Sequence, residues 1–508
     1  MLAALRESLE RHGSEPALVV PEGTLRHADV LRHAGGLGAA MRTAAGEAPL
    51  AYVAVLARPG VAAYLGMLGA WLQGAACVPL NPRYPDAYLA DQAAAVPPSV
   101  WIAEPETAGR ARALARAAPV LVCDPTQLPE AAPLPPAVPA VAYVMFTSGS
   151  TGRPKPVPIR HAHVAAFAAA LAERYPLESH DRIVQTFEPN FDLSVATLLL
   201  AWLHGASVYV PRPLELAMPV PYLRRHRISV WFSVPSRALM VQQAGALQPG
   251  ALPDLRWSLF CGETLGTNVA EAWAAAAPAS VLDNVYGPTE LTMACTAWRW
   301  DGRRGCHDGG SLPIGRLFPG CEHVLLDDAD RPIAGAGVGE LCVRGSQRFD
   351  GYIGIPVGPQ HFWCDAADAF ADTRRADPRL YYRTGDLVRR MPDGLLAFVG
   401  RRDHQLKVLG FRIEPGEVEA ALRTHPAVVE AVVFAAPDER DAADRLTAAV
   451  VGNELAGRDI QRHLQRRLPA HALPRLRFVR ELPLSLNGKV DRSALRSALA
   501  AARPASGL

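Results

Sequence analysis

A chain of 508 residues is too long for one ordinary domain and long enough for a large core plus a smaller unit. Hydrophobic residues make up 49% and charged residues 20%, as in an ordinary soluble globular protein. Lys+Arg 52 against Asp+Glu 50 leaves +2, and basic residues are not clustered with aromatics, so neither nucleic acid nor an anionic membrane is indicated as a partner. Any anion site must be local.

Met1 to His12 reads as a helix and not as a signal peptide, because it carries Glu7 and Glu10 and lacks a long apolar core. The next hundred residues alternate buried strands (Ala51–Leu56, Ala76–Leu80) with helical stretches (Val61–Gln73). This rhythm predicts a largely parallel sheet with helices on both faces. Pro125 to Pro139 has no periodicity and reads as a surface linker. It leads into the apolar run Val141–Phe146 and then a glycine-rich turn. Further strand signals follow at Ile183–Phe187, Ser207–Val210, Val230–Val234 and Trp257–Phe260. The longest apolar run, Ala196 to Leu203, is far short of the roughly 20 residues needed to span a bilayer. From Gly339 to Val399 the strands shorten, with Gly and Asp turns. A charged turn follows Gly400, and the last hundred residues read as a small α+β unit. There are no internal repeats. The eight cysteines are dispersed with no C-x-x-C pair, which predicts free thiols and a cytoplasmic location.

The segment Thr147-Ser148-Gly149-Ser150-Thr151-Gly152-Arg153-Pro154-Lys155 directly follows a predicted strand. Glycines and small hydroxyl residues let backbone N–H groups wrap an anion, and Lys155 adds a mobile positive charge. A solvated Ser/Gly linker is the alternative, and the position after a buried strand weighs against it. The P-loop pattern G-x-x-x-x-G-K-[ST] is absent, and so is a G-x-S-x-G nucleophile elbow.

YVMFTSGSTGRPKPVPIRH resembles the phosphate loop of the adenylate-forming superfamily, which includes peptide-synthetase adenylation domains, acyl-CoA synthetases and luciferases. NVYGPTE (Asn284–Glu290), GELCVRG (Gly339–Gly345), YRTGDL (Tyr382–Leu387), GRRDHQLKVLGFRIEPGEVE (Gly400–Glu419) and LNGKVDR (Leu486–Arg492) follow in that family's order and span nearly the whole chain. One departure is Pro156, where the family usually has glycine; it stiffens the loop exit. The resemblance implies an α/β fold. A large N-terminal domain (1–400) of parallel and mixed sheets flanked by helices would precede a hinge (401–404) and a small mobile α+β domain (405–508).

It also implies ATP and Mg²⁺, with a two-step reaction: a carboxylic acid becomes an acyl-AMP, and a thiol then takes the acyl group. In these terms Tyr286 stacks on adenine beside Asn284 and Gly287. Thr289 contacts the α-phosphate, Glu290 helps hold Mg²⁺, Asp386 binds the ribose hydroxyls, and Arg401 lies near ribose and phosphate. Lys489 is the expected catalytic cation and Asp403 the hinge. Each motif alone has a plainer reading: YGPTE as a turn, TGD as an Asx turn, Lys489 as an exposed lysine.

The resemblance places Asp192 in the acid pocket, where amino-acid-activating members pair an aspartate with the substrate's α-ammonium. Asp192 as an N-cap is the alternative. Leu193, Ala196, Ser233, Leu259, Cys261, Gly262, Val285, Met293 and Ala294 complete a mostly apolar, uncharged lining. Cys261 reads as pocket wall and not as a nucleophile. FDLSV and FCGE particularly resemble D-alanine–carrier-protein ligases and stand-alone adenylation enzymes. The expected substrate is a small neutral amino acid, alanine first, with proline and serine behind it. No carrier segment follows Lys489, so a separate carrier protein with a phosphopantetheine arm is expected as acceptor. An acyl- or aryl-CoA synthetase is the rival, and a silent binding relative the third reading.

Overall fold

The computed structural model describes residues 1–129, 140–148, 154–302, 310–370, 372–402, 405–408, 410–437, 444–483 and 495. Two compact units are formed. The first comprises Met1–Pro82, Ala93–Phe146 and Pro156–Arg402, and the second Arg83–Gln92, Thr147–Lys155 and Asp403–Leu508. The grouping of the two short early segments with the second unit has no signal in the sequence.

A six-stranded sheet runs in the order Val120–Val122, Val100–Ala103, Tyr52–Leu56, Ala76–Leu80, Val141–Thr147, Lys155–Arg160. Its central strands are parallel and buried on both faces, which is why they read as unbroken apolar runs. The helix Val61–Leu72 is buried along its whole length. It packs closely on the helix His27–Ala45 through glycines: a Cβ on Gly69 would stand 2.9 Å from the Ala34 carbonyl oxygen. Pro156 falls in the end strand of this sheet, the position at which a sheet tolerates proline.

A nine-stranded sheet holds six parallel central strands, among them Arg182–Val184, Val230–Ser233, Trp257–Phe260 and Val281–Tyr286. Antiparallel strands close both ends: Gly23–Arg26 at one, Thr296–Arg299 and Arg316–Leu317 at the other. The strand expected over 183–187 stops at Val184. The Gln185 side-chain oxygen accepts the Phe187 N–H at 3.1 Å, which bends the chain out of the ladder. A five-stranded antiparallel sheet contains Gly337–Gly345, Tyr381–Arg390 and Leu396–Arg401.

In the second unit Val428–Pro437, Asp444–Gly452 and Arg475–Phe478 form a three-stranded sheet. The unit also contains the helices Pro415–Arg423 and Gly457–Gln465 and the hairpin Leu406–Val408/Phe411–Ile413. The α/β architecture is the one expected. Among the described residues no helix is long and apolar enough to cross a membrane.

Candidate active site

Ligands of open α/β sheets gather at the carboxyl ends of parallel strands, where loops diverge. Ser233, Cys261, Val285 and Tyr286 all stand at such ends of three adjacent strands. The Cys261 N–H donates to the Ser233 carbonyl at 3.0 Å, which carries the register one residue past the ladder. Leu193, Ala196, Leu259, Cys261, Val285, Tyr286, Met293 and Ala294 belong to one continuous buried cluster. Ser233 is buried beside its neighbours, and Gly262 turns the chain at φ 96°.

Asp192 is the first residue of the wholly buried helix Asp192–Trp202. Phe191, not Asp192, is its N-cap, so the capping alternative for Asp192 falls away. Asp192 is 7% exposed, and its Oδ2 has no hydrogen-bond partner among the described residues. The Thr289 hydroxyl and the Leu193 and Met293 N–H groups lie within hydrogen-bonding reach of its carboxylate. Burial pushes its pKa up to about 6; these donors oppose the rise and the Glu290 charge adds to it. Holding this carboxylate ionised at neutral pH with no cationic partner costs roughly 3 kcal/mol.

The turn that presents Thr289, Glu290 and Met293 is strained and tightly fastened. Thr292 and Met293 both adopt left-handed φ (57° and 73°), a conformation that costs non-glycine residues of order 1–3 kcal/mol each. Gln347 holds them there. Its amide donates to the Leu291 and Ala294 carbonyls at 3.3 and 2.6 Å, and its own carbonyl accepts the Thr292 hydroxyl at 2.6 Å. Gly287 is required where the chain doubles back, since a Cβ would lie 2.4 Å from Ala294 Cα. Glu290 is fully buried and accepts the Tyr352 hydroxyl at 2.7 Å.

Tyr286, Asp386 and Arg401 form a second cluster. Tyr286 Oη donates to Asp386 Oδ2 at 2.5 Å, and Arg401 donates to Oδ1. Burial first, then the Asp386 charge, holds the Tyr286 phenol well above its usual range, so it stays neutral. The TGD turn is fastened by Thr384, whose hydroxyl accepts the Asp386 N–H at 3.0 Å. The Asp386 carboxylate is thereby directed at residues distant in sequence. Asn284 is different: its amide donates to the Pro313 carbonyl at 2.7 Å and so braces the framework.

Thr147, Ser148 and Lys155 belong to the second unit. There Ser148 Oγ donates to the Arg412 carbonyl at 3.0 Å, and Thr147 Oγ1 is buried with no described partner. Gly149, Ser150, Thr151, Gly152, Asp403 and Lys489 lie outside the described residues.

Sequence reasoning missed Tyr352, Gln347 and Tyr143. Tyr352 and Gln347 reach the 287–294 turn from more than 50 residues away. Tyr143 is fully buried, its hydroxyl is unpartnered among the described residues, and it feels the Asp192 charge. No local pattern marks such partners.

Among the described residues no group of three metal-ligating side chains occurs. Mg²⁺ usually takes one or two protein carboxylates and fills its shell with water and substrate phosphate oxygens. Glu290, a buried hard-oxygen donor beside Asp192 and Thr289, fits that habit.

Residues 5–353 match the family described as AMP-binding enzyme, and residues 417–489 match the AMP-binding enzyme C-terminal domain. The hybrid PKS-NRPS synthetase pyvA of Aspergillus violaceofuscus is 33% identical over 494 residues, 90% of this chain and 13% of its own length. The chain spans 5–13% of the length of several curated relatives, this one included. The L-proline–[L-prolyl-carrier protein] ligase of Pseudomonas fluorescens is 36% identical over 368 residues, 70% of this chain and 68% of the ligase. The Vibrio cholerae adenylation domain AlmE, solved with glycyl-adenosine-5′-phosphate, superposes with a TM-score of 0.83 at 25% identity, covering 98% of this chain and 97% of that one.

The unpaired charge of Asp192 makes a prediction about the ligand-free protein. A carboxyl whose folded pKa lies above its unfolded value loses stability as pH rises through that window, here from about 4 to about 6. Asp192→Asn removes the charge at nearly constant shape. At pH 8 it is expected to raise Tm by about 1–3 °C, with the gain shrinking at pH 5. Thermal denaturation at both values checks this; a variant less stable than wild type at pH 8 contradicts it.

Proposed function

The chain belongs to the AMP-binding enzyme family, and from that premise we propose that it activates a small neutral amino acid with ATP and delivers it to a thiol. The observation that carries this reading is the buried, half-unpaired carboxylate of Asp192 at the head of an apolar cluster. A carboxylate in that setting needs a cation, and the α-ammonium of an amino acid supplies one. The lining residues carried over from the sequence contain no second charge for a charged side chain. A relative that ligates L-proline and another solved with a glycyl adenylate support a small substrate.

In the first step a substrate carboxylate oxygen attacks the α-phosphorus, and the bond from that phosphorus to pyrophosphate breaks. In the second the thiol sulfur attacks the acyl carbon, the acyl–oxygen bond to AMP breaks, AMP leaves and the thiol proton is released. Such chemistry asks mainly for positioning and neutralisation of charge. Asp192 holds the amine and so fixes the direction of the substrate carboxylate. Thr289, on the fastened turn, offers a hydroxyl to phosphate. Tyr286 offers its ring face to adenine while its hydroxyl bonds Asp386, and Asp386 retains acceptor capacity for the ribose hydroxyls. Glu290 would hold Mg²⁺, which when bound neutralises phosphate charge. The Thr147–Lys155 loop would supply further donors, and Lys489 the cation that meets charge developing in the first step. The acceptor is the phosphopantetheine thiol of a carrier protein.

Amino-acid-dependent ATP–pyrophosphate exchange tests the substrate. Glycine, both alanine enantiomers, serine and proline should include the best substrate, with lysine and glutamate at least about 100-fold lower in kcat/KM. Best activity with a charged side chain contradicts the pocket reading, and exchange with no acid at all supports a silent relative. Lys489→Ala should lower exchange by about 100- to 1000-fold with an unchanged Tm. Near wild-type exchange would remove Lys489 from the reaction.

A further inference from the structure

Four bonds from the short segment 347–349 hold the turn that faces Asp192. Gln347 lies just beyond the strand Gly337–Gly345 and is fully buried. The strand end that delivers it requires glycine, since a Cβ on Gly345 (φ 138°) would overlap the Gly320 carbonyl oxygen. The Gln347 amide donates to the Leu291 carbonyl at 3.3 Å and to the Ala294 carbonyl at 2.6 Å. Its main-chain carbonyl accepts the Thr292 hydroxyl at 2.6 Å, and the Phe349 N–H donates to the Glu290 carbonyl at 2.9 Å. Positions 290, 291, 292 and 294 are thus each tied to one segment. Among them stands Met293, whose N–H lies within hydrogen-bonding reach of the Asp192 carboxylate.

The amide that makes two of these bonds is itself oriented. A primary amide can present nitrogen or oxygen to a neighbour, and the partners decide which. Two carbonyl oxygens on one side require the nitrogen there. On the other side the Cys321 thiol donates to Gln347 Oε1 at 3.7 Å. Turned over, the amide would set its oxygen against both carbonyls and lose the thiol. The turn needs this tether, because Thr292 and Met293 sit at φ 57° and 73°, where a side chain crowds its own backbone. Such geometry persists only where neighbouring contacts over-determine it.

We infer that Gln347 is a positioning residue for recognition of the substrate's amine, acting through the Met293 N–H and the Thr289 hydroxyl without touching the substrate. This rests on the reading of Asp192 as the partner of that amine. The two donors stand on the tethered turn and face a carboxylate whose Oδ2 has no described partner. They keep the group ionised and fix where its remaining oxygen points. A relaxed turn withdraws them, and the ammonium then meets an acceptor that is neither held in place nor fully charged. An acid without an amino group makes no use of that oxygen. Gln347 should therefore govern the preference between two acids more than the rate with either.

The test compares alanine with propanoate in ATP–pyrophosphate exchange, read as the ratio of their kcat/KM values. Gln347→Met removes the amide at nearly constant size and should lower the ratio at least about tenfold, chiefly through a higher KM for alanine. Thr292→Val removes only the hydroxyl that the Gln347 carbonyl accepts, and should lower the ratio at least about threefold. A loss of folded protein alone would reduce exchange with both acids alike and leave the ratio unmoved. A ratio within about twofold of wild type in Gln347→Met overturns the inference. Should that variant not fold, an unmoved ratio in Thr292→Val overturns it. Equal use of the two acids by the wild-type enzyme would instead contradict the reading of Asp192.

Discussion

A carboxylate shut away from water with one oxygen unpaired is the constraint around which the site is organised. Asp192 heads a helix with no exposed residue, in a region where nearly every neighbour is apolar. Such a group is costly to keep charged and costly to leave without partners. Its donors, Thr289 and the backbone of Leu193 and Met293, offset part of that cost, and Glu290 works against them. What remains is an uncompensated desolvation cost, which a cation would relieve.

Such relief has meaning only if the surroundings hold still. Two non-glycine residues in left-handed geometry, a glycine with no room for a Cβ and a buried glutamine with three fastening contacts keep the 287–294 turn in one shape. Strain of this kind persists where neighbouring contacts over-determine it. The carboxyl ends of three parallel strands then bring Ser233, Cys261 and Val285 toward the same region as a consequence of register. Tyr286, on the last of those strands, reaches Asp386 in a different sheet. The site therefore depends on the packing of two sheets in the first unit, not on any one motif.

Much of this was legible in the sequence, and the exceptions have physical causes. Strands buried on both faces announce themselves as apolar runs, so Tyr52–Leu56 and Ala76–Leu80 were readable almost to the residue. The strand at Arg182–Val184 was overread because a side-chain bond from Gln185, not a change in hydrophobicity, ends it. Motif residues such as Tyr286 and Asp386 carry local signals; Tyr352 and Gln347 do not. Their partners lie tens of residues away, and a lone tyrosine or glutamine has many ordinary uses. Asn284 shows the converse, a motif residue whose amide braces the 312–313 segment.

Asp192 links sequence, fold and chemistry, so discrimination by the amine is the sharpest measure of the account. Exchange should be compared for alanine and propanoate, which differ only in the amino group, in wild type and in Asp192→Asn. A buried charge pair lost at one partner is worth several kcal/mol, so wild type should favour alanine by about 100-fold or more and the variant should lose most of that preference. Equal use of the two acids by the wild-type enzyme, or a preference untouched by the substitution, would contradict it.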